Sequence, residues 1–204
     1  MKWFYRTLII FALAAAPPCA TASETILVLG DSLSAAFGIG REQGWVNLLR
    51  QRLKRHGYAY SVVNASISGE TTAGGLARLK PLLKRHQPAI VILELGVNDG
   101  LRGQPLYAIR KNIQQIIQLS QQQGKVLLVG MRLPSNYGAG YTRQFHHLYK
   151  KLSQQNEIPL VPFLMQGLED SSRHFQPDRL HPTAAAQPIL LSNIWKGLKP
   201  LLSH

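Results

Sequence analysis

The sequence predicts an α/β fold in which helices cover both faces of a parallel sheet. Short, continuous apolar runs alternate with longer segments of helical periodicity, and small or polar residues follow the first three apolar runs. Such runs are typical of buried parallel strands, and their alternation with helices indicates βαβ crossovers. Because ligands bind outside the carboxyl ends of such strands, the residues that follow them are candidates for a functional site.

The predicted elements follow one another without an internal repeat or an interdomain linker. The strands are Ile26–Leu29, Tyr60–Asn64, Ala89–Leu95, Lys125–Gly130 and Pro159–Val161. The helical segments are Gly44–His56, Ala73–His86, Pro105–Gln122, Tyr141–Gln155 and Thr183–Leu198. We expect residues 23–204 to form one domain, because about 180 residues suffice to bury a sizeable core.

The first 22 residues have the pattern of a secretory signal peptide, Met1–Ala22. Two basic residues precede the apolar run Leu8–Ala16, and Ala20-Thr21-Ala22 fits the small-residue cleavage pattern. An uncleaved membrane anchor is disfavoured because a span needs about 20 apolar residues. We therefore expect a secreted or periplasmic protein. The single cysteine, Cys19, would leave with this segment, so the mature chain would lack disulfides and thiolate chemistry.

The chain is strongly basic, with 23 Lys and Arg against 10 Asp and Glu, and a formal net charge of +13. The favoured interpretation is a solvated, soluble surface. Transient attraction to anionic lipid or to a phosphate-bearing substrate is a secondary expectation. Nucleic acid is not an expected partner, because the chain carries no recognisable nucleic-acid motif.

Four blocks carry the residue types that acyl transfer needs. A serine becomes a nucleophile when a base takes its proton, and a histidine can accept that proton and return it to the leaving group. A carboxylate then orients the imidazole. Ser32, His181 and Asp178 are the candidates for these roles. The backbone N–H groups of Ser32 and Gly69 and the amide of Asn98 are suitable oxyanion donors. The blocks are Gly30–Leu33, Asn64–Thr71, Leu95–Gly100 and Asp178–Pro182.

Two other interpretations of these blocks stay open. Asp31 or Asp99, and not Asp178, could serve His181, with Asp178 capping the final helix. The stretch around Ser32 could also be an ordinary strand-to-helix turn with Ser34 as the N-cap. Glu94, inside an apolar run, is either a paired buried acid or a contact at the strand end, and we assign it no catalysis.

Taken together, the ordered blocks resemble the SGNH (GDSL) hydrolase family. The match consists of Gly-Asp-Ser-Leu near the mature N-terminus, Gly69, Gly96-Val97-Asn98-Asp99 and Asp178-x-x-His181, and it extends over essentially the whole mature chain. Residues 63–69, 94–103 and 132–138 are similar to one bacterial periplasmic branch with thioesterase, arylesterase, lysophospholipase and protease activities.

This resemblance implies a flavodoxin-like, three-layer α/β/α sandwich with a central five-stranded parallel sheet. It implies Ser32 as nucleophile, His181 as base and Asp178 as its orienting acid, with Ser32, Gly69 and Asn98 as the oxyanion hole. It implies no cofactor, and no histidine spacing in the chain indicates a metal site. The expected partner is a small acyl ester or thioester substrate, with no obligate protein partner.

One residue departs from that branch: Val97 stands where a second glycine is usual. If this position needs a positive φ, the loop that carries Asn98 is shifted, because a β-branched residue avoids that conformation. Otherwise Val97 adds bulk near the acyl site, which is the favoured outcome. The resemblance places five residues in the acyl groove, although an ordinary surface position is an equal alternative for Arg102. They are Val97, Leu101, Arg102, Leu133 and Tyr137.

The leading hypothesis is therefore a secreted serine esterase that forms an acyl-enzyme. The alternative is an SGNH carbohydrate or peptidoglycan O-deacetylase, and a non-catalytic lipid-binding relative is less favoured. Apolar residues near the expected groove favour an acyl chain over a sugar. They are Leu33, Val97, Leu101, Ile109 and Leu133.

Overall fold

A sheet of five strands forms the centre of the molecule. The computed structural model describes residues 23–168 and 172–203, so the predicted signal peptide Met1–Ala22 lies outside the described residues. Each strand agrees with its predicted bounds to within two residues. The strands are β1 (Glu24–Gly30), β2 (Tyr60–Asn64), β3 (Ile90–Glu94), β4 (Lys125–Val129) and β5 (Leu160–Val161).

Six helices lie within the described residues, and five of them correspond to predicted segments. The sixth, α3, is a five-residue helix directly after β3, where the sequence predicted a loop. The last helix begins four residues later than predicted, because residues 184–186 form a 3₁₀ turn. The helices are α1 (Trp45–Arg55), α2 (Thr72–His86), α3 (Val97–Leu101), α4 (Leu106–Gln121), α5 (Ala139–Gln155) and α6 (Gln187–Leu198).

The strands are all parallel and lie in the order β2-β1-β3-β4-β5. Helix α1 packs against α6, while α2 packs against α4 and α4 against α5, so the two groups of helices cover the two faces of the sheet. This is the strand order of flavodoxin-like doubly wound folds. The prediction of a three-layer α/β/α sandwich around a five-stranded parallel sheet is confirmed.

The hydrophobic core follows from this layering. Residues 26–29 of β1 and 91–93 of β3 have no exposed surface, because each strand has neighbours on both sides and helices above and below. These are the strands that read as continuous apolar runs in the sequence.

From β1 the chain continues to β2 on one side, and from β3 it continues to β4 on the other side, so the strand order changes direction between β1 and β3. At such a point the loops leave the carboxyl ends of two adjacent strands in opposite directions and open a crevice between them. The turn at residues 31–38 and the β3–α3 junction meet there. In the described part of the chain, no helix combines the length and the hydrophobicity that a membrane span requires.

Candidate active site

Ser32 lies in the turn that follows β1, two residues after the strand ends at Gly30. The turn continues to residue 38 without starting a helix, so the interpretation of Ser34 as an N-cap is wrong. The Ser34 hydroxyl instead donates a hydrogen bond of 2.7 Å to Oε2 of Glu94. Ser32 itself is 8% exposed, and its Oγ lies 2.9 Å from Nε2 of His181.

His181 and Asp178 are presented by one turn of chain near the C-terminus. Nδ1 of His181 lies 2.6 Å from Oδ2 of Asp178. Oδ1 of the same carboxylate accepts the backbone N–H groups of Leu180 at 2.9 Å and His181 at 3.0 Å. The turn requires a left-handed backbone at Arg179, whose φ is 58°. The structure therefore brings Ser32 into contact with His181, which lies 149 positions later in the sequence, and it places Asp178 against the histidine.

The hydrogen bonds to Asp178 keep it ionised. The backbone N–H of His181 is the main cause that lowers the pKa of Asp178 to about 2, and the His181 ring contributes as well. An ionised Asp178 favours a proton on Nδ1 of the imidazole, which leaves Nε2 as the acceptor that faces Ser32. The ring of Phe37 lies against His181 with a centroid separation of 4.5 Å, and this contact restricts the ring's orientation.

The two carboxylates that compete with Asp178 in sequence have other partners. Asp31 accepts hydrogen bonds from the backbone of Leu33 at 3.0 Å and from Nδ2 of Asn98 at 3.2 Å. Asp99 accepts bonds from the backbone and hydroxyl of Thr72, at 2.8 and 2.7 Å. Both carboxyls are buried, and each holds backbone elements together at the carboxyl edge of the sheet.

A third buried carboxyl, Glu94, ends strand β3 behind the Ser32 turn. It has no exposed surface, and Oε2 accepts the Asp31 backbone N–H at 3.2 Å as well as the Ser34 hydroxyl. Burial raises the pKa of Asp31 to about 7 and raises the pKa of Glu94 well above its ordinary value. The sequence left open whether Glu94 is a paired buried acid or a contact at the strand end. Its hydrogen bonds to the Ser32 turn show that it is a contact at the strand end.

The predicted oxyanion donors come from consecutive strand ends. Gly69, in the loop after β2, has a φ of 77°, a conformation that glycine adopts without steric cost. Asn98 lies in the first turn of α3, and its Nδ2 donates to Asp31 and to the carbonyl of Glu70, at 3.0 Å. Since Glu70 follows Gly69 directly, the Asn98 amide lies beside the Gly69 turn.

Gly96, the residue before α3, explains how Val97 is accommodated. Gly96 takes the positive φ, at 116°, and an added Cβ there would lie 2.5 Å from the Tyr149 hydroxyl. Val97 is the first residue of α3 and is not among the described residues with positive φ. Of the two outcomes considered for Val97, the structure shows the second, in which its side chain adds bulk beside the site.

A cavity of about 430 Å³ opens beside Ser32 and His181. Three predicted substrate-binding residues line it, namely Val97, Leu101 and Leu133, together with Leu33 and Asn98. The other lining residues were not predicted from the sequence, and they come mainly from the loop after β5 and from the Asp178 turn. They are Arg132, Pro134, Phe163, Met165, Phe175, Arg179 and Leu180.

Three predicted residues lie elsewhere. Arg102 donates to the carbonyl of Gly69 at 3.1 Å, outside the cavity lining, and Tyr137 lies in a 3₁₀ turn and is 36% exposed. Ile109, expected near the groove, is fully buried in the core on α4. The lining is nevertheless predominantly apolar, and it includes the serine and the histidine.

Within residues 23–168 and 172–203, no three His, Cys, Asp or Glu side chains are placed to hold a metal ion together.

Comparison with known proteins places this chain in a family. The model of the GDSL-like Lipase/Acylhydrolase family matches residues 28–188. Esterase TesA of Pseudomonas aeruginosa is 50% identical over 182 residues, which cover 89% of this chain and 90% of that protein. Thioesterase 1/protease 1/lysophospholipase L1 of Escherichia coli is 42% identical, over 91% of this chain and 88% of that protein.

A solved structure shows the same architecture. The psychrotrophic esterase EstA from Pseudoalteromonas sp., inhibited by monoethylphosphonate, superposes with a TM-score of 0.83 at 38% identity, over 87% of this chain and 97% of that one. The family match spans most of the chain, and the relatives are similar over nearly their whole lengths. The family prediction made from the sequence is confirmed: this chain belongs to the GDSL-like lipase/acylhydrolase family.

Proposed function

We propose that this GDSL hydrolase cleaves acyl esters and thioesters through a covalent acyl-enzyme on Ser32. The observation that carries the proposal is the continuous chain of contacts from Ser32 Oγ to His181 Nε2 at 2.9 Å, and from His181 Nδ1 to Asp178 Oδ2 at 2.6 Å. These distances lie within the range in which a base can take a proton from a nucleophile.

In the first half of the reaction, Nε2 of His181 accepts the Ser32 proton as Oγ attacks the acyl carbonyl. The oxyanion accepts hydrogen bonds from the backbone of Ser32 and Gly69 and from the Asn98 amide. To reach the oxyanion, the Asn98 amide gives up one of its two present acceptors, which are the Asp31 carboxyl and the Glu70 carbonyl. The Glu70 carbonyl is a neutral acceptor. His181 then donates the proton to the leaving alcohol or thiol, and the carbonyl–oxygen or carbonyl–sulfur bond breaks.

In the second half, water attacks the acyl-enzyme and His181 takes the proton from that water. Collapse of the second tetrahedral intermediate returns the proton to Ser32 and releases the carboxylic acid. Asp178 stays ionised throughout, because its hydrogen bonds lower its pKa to about 2. Its role is to orient the imidazole and to stabilise the imidazolium that forms twice in each cycle.

The cavity supports an acyl chain as the group that the site selects. Its volume of about 430 Å³ is within the usual range for small-molecule pockets, and most of its lining is aliphatic or aromatic. An acetyl group on a sugar is too small and too polar in its surroundings to contact Phe163, Met165 and Leu133 together, whereas a longer acyl chain could contact all three. The relatives named above as esterase, thioesterase and lysophospholipase agree with this choice.

A chain-length series tests the proposal directly. Purified protein is assayed with 4-nitrophenyl esters from acetate to dodecanoate, and with acyl-CoA by detection of the released thiol. We expect kcat/KM to rise from acetate to medium-length chains. Activity on acetate alone would instead favour an O-deacetylase, and the absence of turnover on every ester would favour a binding protein.

The compartment is part of the same proposal. The N-terminal pattern of Met1–Ala22 supports export to the periplasm or the medium. The formal net charge, +13 for the whole chain and +11 without residues 1–22, supports transient contact with anionic lipid. Edman sequencing of the protein from the periplasmic fraction should begin at Ser23. Recovery of the protein in the cytoplasm with its N-terminus intact would contradict export.

A further inference from the structure

A network of buried carboxyls lies directly behind the proposed nucleophile, and the proposed reaction does not use it. Glu94 accepts the backbone N–H of Asp31 and the hydroxyl of Ser34, so one carboxyl holds the Ser32 turn on both sides of the serine. Gly30 makes room for it, because an added Cβ there would lie 2.7 Å from Oε2 of Glu94 and 2.8 Å from Oγ of Ser34.

Asp31 extends this network to the oxyanion donor. One carboxyl oxygen accepts the backbone N–H of Leu33, and the other accepts Nδ2 of Asn98. A single side chain therefore joins the turn that carries Ser32 to the amide that is to face the oxyanion. The second proton of that amide points to the Glu70 carbonyl, which follows the Gly69 turn.

Burial of the Asp31 carboxyl costs free energy, and a residue that only shapes a turn would not need to be buried in this way. Asp31 has no exposed surface, and within residues 23–168 and 172–203 its donors are the neutral amides of Leu33 and Asn98. Three other acids, Glu94, Asp99 and Glu70, lie close enough to interact with it. Burial of a carboxyl without a cationic partner disfavours its charged form. Unfavourable side-chain environments of this kind concentrate at functional sites, where the surrounding structure holds them in place.

We propose that Asp31 is a positioning residue that acts through Asn98, holding its amide at a fixed place relative to the Ser32 turn before the oxyanion forms. This inference rests on the proposed function, since it takes Asn98 to be an oxyanion donor. A positioned amide that has only one hydrogen bond to exchange reorganises little when charge develops, and preorganised donors of this kind are usually the largest contribution to oxyanion stabilisation.

The test is a double-mutant cycle between Asp31→Asn and Asn98→Ala. Asparagine is nearly isosteric with aspartate but can accept only one of the two hydrogen bonds. Initial rates are measured with 4-nitrophenyl hexanoate, and kcat is normalised to the sites titrated by a fluorophosphonate, so that unfolded protein is not counted. If Asp31→Asn does not fold, Asp31→Ser takes its place in the cycle.

We expect Asp31→Asn to lower kcat about tenfold and to change KM less than twofold, since one hydrogen bond is lost. In the Asn98→Ala background, the same change should lower kcat by less than a further twofold. Additive effects in the cycle would overturn the proposal, because Asp31 would then act independently of Asn98. An effect on KM alone would overturn it as well.

Asp99→Asn is the matched control, because Asp99 is also buried at this edge but bonds to Thr72 and not to Asn98. It should lower the melting temperature and leave kcat within twofold of the unmodified protein. An equal loss of kcat in both variants would reduce Asp31 to a structural role. Failure of the underlying function is distinguishable, since the fluorophosphonate would then not label Ser32 in any variant.

Discussion

Replacing Asp178 with asparagine should impair catalysis more than a loss of one charge suggests. In the structure, Oδ1 of Asp178 accepts two backbone N–H groups and Oδ2 faces Nδ1 of His181. An asparagine that keeps its carbonyl oxygen on the two N–H groups must point its NH₂ group at Nδ1. The imidazole would then carry its proton on Nε2, the nitrogen that has to accept the Ser32 proton.

We expect kcat to fall by about 10³- to 10⁴-fold, as it does when the triad aspartate of a serine protease is replaced in the same way. Such a loss corresponds to about 4–5 kcal/mol of transition-state stabilisation. The KM should change little, because Asp178 does not line the cavity.

The assay is kcat for 4-nitrophenyl hexanoate between pH 5 and pH 9, with circular dichroism to verify the fold. In the unmodified protein Asp178 remains ionised throughout this range, since its pKa is lowered to about 2. Titration of Asp178 therefore contributes nothing to the profile in this range. A variant that retains kcat within tenfold across the range would refute the pairing of Asp178 with His181.

Three further predictions concern the surroundings of the triad. Asn98→Ala should lower kcat by about 10²- to 10³-fold with little change in KM, as steady-state kinetics will show. Leu133→Trp should shift the preferred ester to shorter chains, because Leu133 lines the acyl cavity, and the 4-nitrophenyl series measures this shift. Gly96→Ala should destabilise the fold by about 1–3 kcal/mol in urea unfolding, because of its φ of 116° and the Tyr149 hydroxyl 2.5 Å from an added Cβ.

The stability of the protein should also depend on the protonation of Asp31. Burial raises the pKa of Asp31 to about 7 in the folded state from an ordinary value of 3.8, and its acidic neighbours are Glu94, Asp99 and Glu70. The folded state therefore binds this proton more tightly, so its stabilising effect is complete below pH 4 and is lost as the pH rises to 7. Between pH 5 and pH 8 the melting temperature should fall more in the unmodified protein than in Asp31→Asn. Parallel melting curves for the two proteins would contradict this.

Much of the fold could be predicted from the sequence because its strands are buried on both faces. Residues 26–29 and 90–93 read as uninterrupted apolar runs, and their burial is nearly complete. The short helix α3 was not predicted, because five residues are too few to show a helical period. The 3₁₀ turn at 184–186 has the helix-forming composition Ala-Ala-Ala, so the sequence could not separate it from α6.

The residues of the candidate site that take part in the chemistry were predictable, because the reaction restricts their type. The residues that only line the cavity were less predictable, because many apolar residues could take their places. Ser32, Asp178 and His181 are distinctive by type and order, and the structure places them in contact. The cavity residues Phe163 and Phe175 are ordinary apolar residues, and only the fold brings their loops to Ser32. Ile109 was expected near the groove, but helix α4 places its side chain in the core.

The link between Asp31 and Asn98 could not be predicted for a different reason. The two residues lie 67 positions apart, and each was assigned from the sequence to a separate task. Only the parallel pairing of β1 with β3 places the turn after one strand beside the helix after the other.

The central claim is that Ser32 is the nucleophile, and covalent labelling tests it most directly. A fluorophosphonate should add to the protein once, and peptide mass spectrometry should find the adduct on Ser32, the serine 2.9 Å from Nε2 of His181. Ser32→Ala should remain folded, incorporate no label and lose esterase activity to the background rate. A label on any other serine, or near-normal turnover by Ser32→Ala, would contradict the account.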